Sequence, residues 1–131
     1  MSPKARRKAR MLAMQALYQW SIVQDLPASI EAQYRADNDH FKVDWEFFSE
    51  IMRGAIEKHV ELDAKFSAFL KTPLEETFPV ELALLRLATF ELSEKPDVPP
   101  TVVVNEYVEL AKEFGTEDGY KFINGVLANL L

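Results

Sequence analysis

Apolar residues recur along this chain at the three-to-four-residue spacing of helices, and only one stretch reads otherwise. Leu12, Ala16, Trp20 and Val23 share a face, which predicts a first helix capped by Ser2-Pro3 and running to about Gln24. A short second helix fits Ser29 to Ala36. Asp44 is placed to cap a third, with Phe48, Ile51, Met52, Ala55 and Ile56 on its inner face. Leu62, Phe66, Phe69 and Leu70 carry the pattern into a fourth segment, past a join at Gly54 and His59. Thr72-Pro73-Leu74-Glu75 has the letters of a capping box, in which hydroxyl and carboxylate satisfy each other's free backbone amides, with a restart at Pro79. Val80 to Leu92 is apolar almost all round, as befits a helix surrounded by others, and is the expected centre of the core.

The exception is Val102-Val103-Val104, three β-branched residues that favour pleated backbone. Helix is nevertheless expected here. Val104, Val108 and Ala111 keep helical spacing, Glu109-Leu110-Ala111-Lys112-Glu113 is a strong helix former, and no second strand is available for pairing. Gly115 then stops this helix, and Thr116 is positioned to cap a last one bearing Phe122, Ile123, Val126, Leu127 and Leu130. The prolines at 3, 27, 73, 79, 96, 99 and 100 support the same division, because the first helical residue needs no amide partner. The pattern predicts an all-α fold of about seven helices in one domain spanning residues 1–131, a length typical of one domain.

Composition removes several function classes. Without cysteine there are no disulfides, thiolate metal sites or cysteine nucleophiles, which suits a reducing cytoplasm. No run approaches the roughly 18 apolar residues of a membrane helix, and Arg6, Arg7, Lys8 and Arg10 interrupt any signal-peptide core near the amino terminus. The only histidines, His40 and His59, belong to no metal-binding motif. Walker, dinucleotide-binding and nucleophile-elbow motifs are missing as well. A catalytic, metal or cofactor site is therefore not expected.

Charge changes the picture more. The net charge of −6 hides a division: five of the fifteen basic residues, Lys4, Arg6, Arg7, Lys8 and Arg10, fall in the first ten positions with no acid, leaving ten basic and twenty-one acidic groups beyond. On a wheel at about 100° per residue, with Arg6 at zero, Arg10 falls near 40°, Arg7 near 100° and Tyr18 near 120°. They form an arc bordering the apolar one. Arginine's planar fork suits phosphate, and a helix amino terminus, itself the positive end of a dipole, is an unfavourable place for five bases unless an anion arrives. A solvated basic turn is the plainer alternative. Aromatic rings could add base stacking, with Phe114, just before Gly115, and Phe122, at the edge of its helix's apolar arc, as candidates. Phe47, Phe48, Phe66, Phe69, Phe78 and Phe90 are assigned to packing.

These segments together resemble the NusB family of bacterial transcription antitermination factors over nearly the whole chain. The resemblance lies in Ala5-Arg6-Arg7-Lys8-Ala9-Arg10 followed by Gln15-Ala16-Leu17-Tyr18-Gln19-Trp20; in Pro79 to Arg86 with Phe90-Glu91-Leu92; in Asp97-Val98-Pro99; in Val104-Asn105-Glu106 with Glu109 to Lys112; and in Phe114-Gly115 with Lys121 to Leu127. It implies two small helical bundles packed roughly perpendicular, no catalysis, and a heterodimer with NusE, a small-subunit ribosomal protein. That heterodimer would bind the boxA element of nascent ribosomal RNA and join RNA polymerase with other Nus factors. By position, Arg6, Arg7, Arg10, Tyr18, Phe114, Lys121 and Phe122 would form the RNA surface with Asp118 beside it, and Glu81, Leu84, Leu85 and Arg86 the NusE surface. Gly119, where the family commonly has serine, and an end at Leu131 without a basic tail depart from the pattern. Two other readings remain: an accessory RNA-binding domain of an RNA cytosine methyltransferase, and a helical adaptor that binds protein alone.

Overall fold

Four of the seven prolines do what their missing amide hydrogen suits them for, standing first in a helix. In the computed structural model, which describes residues 2–131, the helices are α1 (Pro3–Val23), α2 (Pro27–Asp37), α3 (Trp45–Glu57), α4 (His59–Ser67), α5 (Pro79–Glu94), α6 (Pro100–Phe114) and α7 (Gly119–Ala128). Pro3, Pro27, Pro79 and Pro100 open α1, α2, α5 and α6. No strand occurs among the described residues, and the three valines at 102–104 lie in the first turns of α6. Lacking a pairing partner, their β preference yields to the helical spacing that buries Val103, Val104 and Tyr107 together.

The caps follow partly as expected. Ser2 Oγ accepts from the Ala5 amide at 3.1 Å and Asp44 Oδ1 from the Phe47 amide at 3.1 Å, each satisfying a free donor at a helix start. The expected join of α3 and α4 is a break at Lys58, beside which His59 Nδ1 lies 2.8 Å from the Ile56 carbonyl. The capping box at Thr72 does not form. The chain makes one 3-10 turn, Leu74–Glu76, and then runs extended through Thr77 and Phe78. Pro79 explains this, because its ring excludes helical backbone at the preceding residue. Nor does Thr116 cap α7, which begins after Asp118; the Thr116 amide donates instead to Glu81 Oε1 at 2.8 Å.

Helix α5 is the centre of the core, as its apolar sequence requires. It packs against α1, α3, α4, α6 and α7, and every residue from Ala83 to Glu91 is buried. Helices α1, α2 and α3 pack against one another, and α6 pairs with α7. Phe47, Phe48, Phe66 and Phe90 are core residues as expected, but Phe69 and Phe78 are exposed, Phe78 to 62%. Both sit in connections between helices, where no helical face directs the ring inward. Val23 is also exposed, on the last turn of α1.

Candidate nucleic-acid interface

The basic start of α1 has no acid in its first turn, so its charges are met from elsewhere. Three other helices supply them. Arg6 lies with its guanidinium carbon 4.2 Å from the Phe47 ring centre and its Nε 3.5 Å from Asp44 Oδ2, both from the start of α3. Arg7 donates to Glu106 of α6 from Nε at 3.1 Å and from Nη2 at 3.4 Å. Lys8 holds its ammonium 3.9 Å from the ring centre of Phe41. Lys4 is exposed.

Arg10 behaves differently. It is only 3% exposed, and its fork donates to both carboxylate oxygens of Glu91 on α5 at 2.8 Å. The fully buried Tyr107 of α6 donates its hydroxyl to the same carboxylate. Burial alone would lower the Arg10 pKa, but the hydrogen bonds and charge of Glu91 more than reverse this and fix the guanidinium charged. Burial, then the charge of Glu91, raises the Tyr107 phenol well above its ordinary value, so it stays a donor. The three residues tie α1, α5 and α6 together. Arg10 thus lies inside the protein, not in the accessible stripe its wheel position implied.

The remaining nominated residues fall in two further places. Tyr18 and Phe114 line one surface hollow with Gln15, Ile22 and Val80. Asp118 and Phe122 line another with Phe78, Thr77, Thr116 and Glu81. Lys121 is exposed and 3.5 Å from Asp118. Gly119 has a packing reason: a Cβ there would stand 2.5 Å from Glu81 Oε1, and one at Gly115 2.4 Å from the same oxygen. The Glu81 carboxylate, tucked beneath this loop, favours the two residues without side chains.

The residues expected to meet NusE lie largely within the protein. Leu84 and Leu85 are fully buried core, Glu81 is 2% exposed beneath the loop before α7, and Arg86, 9% exposed, gives two 2.8 Å hydrogen bonds to Asp63 of α4. Leu84 and Leu85 thus point into the core, while Glu81 borders the hollow before α7. The apolar residues that do face outward nearby are Tyr18, Ile22, Val23 and Leu26. Their exposure was legible only in part: the last turn of α1 keeps its apolar letters although nothing covers it.

Among the described residues no three His, Cys, Asp or Glu side chains are grouped to hold a metal ion, and no helix is long and apolar enough to cross a membrane. The site offers cations, rings and apolar hollows. Residues 7–131 match the model of the NusB family. The chain belongs to the NusB family. Among similar proteins, the transcription antitermination protein NusB of Idiomarina loihiensis is 49% identical over 97% of this chain and 91% of its own length. Those of Pseudomonas entomophila and Shewanella amazonensis are 53% and 47% identical, over 95% and 100% of this chain and 75% and 98% of theirs. The fold is similar to that of NusB from T. maritima, with a TM-score of 0.84 at 31% identity over 95% of this chain and 89% of that one. It is also similar to a chain from the crystal structure of antitermination factors NusB and NusE in complex with dsRNA, with a TM-score of 0.88 at 25% identity over 98% of this chain and 97% of that one.

Proposed function

We propose that this NusB-family chain is a transcription antitermination factor that acts by binding and not by catalysis: with NusE it holds the boxA element of nascent ribosomal RNA and joins RNA polymerase and other Nus factors in the cytoplasm. The observation that carries the RNA reading is the isolated basic start of α1, set on a body carrying twenty-one acids, with Lys4 and Arg7 exposed and Arg6 and Lys8 half-exposed. Phosphate is the anion such a stripe suits, and an acidic body keeps indiscriminate binding weak. Lys121, Asp118 and the rings of Tyr18, Phe114 and Phe122 are proposed as supporting contacts. Arg10 acts through position, holding α1 against α5 and α6 so that its neighbours face outward.

Tyr18, Ile22, Val23 and Leu26 form the surface best suited to NusE, since they are the apolar side chains exposed on and just beyond the end of α1. The NusE and RNA of the similar solved complex support this pairing. The relatives named as antitermination proteins support it over the methyltransferase reading, because two of them are matched over 91% and 98% of their own length and have no room for a catalytic domain. The test is fluorescence anisotropy of labelled boxA RNA and a scrambled control, with and without NusE. Preference for boxA that strengthens with NusE is the expected result. Equal or absent binding to both RNAs would replace the proposal with a protein-only adaptor.

A further inference from the structure

Phe41 is a large apolar side chain that packing does not account for. It is 44% exposed in the connection between α2 and α3, and no helical periodicity assigns it to a core. Its surroundings are basic: Lys8 sits 3.9 Å from the ring centre, and Lys4, Arg7 and Lys42 line the same surface hollow. The His40 ring, centred 4.1 Å away and inclined by 39°, flanks it. The far side of the hollow is acidic, with Glu106, Glu109 and Glu113 along α6, over a floor that includes Met11 and Leu110.

We propose that Phe41 is a stacking platform for one unpaired RNA base, with Lys4, Lys8 and Lys42 holding the flanking phosphates. This rests on the RNA reading above and extends the nucleic-acid surface beyond α1 to the loop before α3. Single-stranded RNA is commonly held by such pairing of rings with cations, and here a base taking the place of the Lys8 ammonium would free it for phosphate. The carboxylate row fixes the polarity. It repels phosphate, so the backbone runs along the lysine wall and the base points across the hollow, where Glu109 or Glu113 would accept from an exocyclic amino group. Cytosine, adenine and guanine carry such a donor; uracil does not.

The test is anisotropy of fluorescein-labelled boxA RNA with the full chain and NusE, comparing wild type, Phe41→Ala, Phe41→Tyr and Lys42→Gln, with circular dichroism melting as a control. Phe41→Ala is expected to weaken binding by roughly fivefold or more with an unchanged salt slope, as loss of stacking requires. Phe41→Tyr keeps the ring and the affinity. Lys42→Gln reduces the salt slope by about one unit. Wild-type affinity in Phe41→Ala, alongside firm wild-type binding, would overturn the platform and leave the RNA function standing. Absence of binding by the wild-type protein would overturn both.

Discussion

Arg10 shows how one residue can be misjudged from charge. It stands in a run of five bases, yet near 40° on the wheel it borders the apolar face, and the structure places it in the interior. What the letters could not supply was its partner: Glu91 is 81 residues away, one of the few polar letters in an apolar helix. Arg10→Ala leaves that carboxylate buried against Tyr107 alone, so urea unfolding should show a loss of about 3–5 kcal/mol, the usual cost of breaking a buried pair from one side. Arg10→Lys, which cannot form the two-pronged contact, should recover only part of it. Arg7 is the opposite case. Its side chain is 63% exposed, so losing the pair with Glu106 in Arg7→Gln should cost at most about 1 kcal/mol in urea unfolding while weakening RNA binding at low salt, measured by anisotropy.

At the scale of elements, the helices were legible wherever an apolar face kept its spacing, and the connections were not. Prolines marked the starts of α1, α2, α5 and α6, and valine spacing overrode β preference in α6. The Thr72 capping box gives way to a single 3-10 turn at Leu74–Glu76, with Phe78 held extended before Pro79, and at Thr116 the backbone amide goes to Glu81 while α7 starts only after Asp118. Close approach between helices is equally invisible in sequence. Gly54 of α3 lies so near α5 that a Cβ would stand 2.3 Å from two carbons of the Phe90 ring. Gly54→Ala should therefore cost about 1–3 kcal/mol, read as a lowered Tm, although alanine is the better helix former. Helix α2 is fastened to α3 through Glu31, which accepts from Ser49 at 2.6 Å and from Arg53 at 2.7 Å, and from Arg35 on its own helix at 2.9 Å. Burial opposes its ionisation, but these hydrogen bonds win and hold the carboxyl below its ordinary 4.5. A depressed carboxyl stabilises fully above its unfolded value, and that contribution is lost as pH falls through the folded one. Acid unfolding followed by circular dichroism should thus begin to lose this contribution below about pH 4.5, and Glu31→Gln should flatten that limb.

Taken as a whole, the molecule is an acidic helical body with a cluster of five cations at the start of α1, where α3, α5 and α6 supply partners. The fold class, the central place of α5 and the basic end were legible because each depends on local spacing or on composition. The division of that end into accessible and buried bases was not, because it depends on which distant helix lies beneath each side chain. The partner residues expected on α5 came from the family resemblance, whereas the apolar pattern of that helix already pointed to the core in which Leu84 and Leu85 lie. The most direct test of the central claim is the salt dependence of boxA RNA binding, in the presence of NusE, for the wild-type chain and for Arg6→Ala/Arg7→Ala. The double substitution should shallow the slope of log affinity against log salt by up to about two units, one for each lost phosphate contact. An unchanged slope in a folded variant would contradict the assignment of the α1 stripe to the RNA backbone.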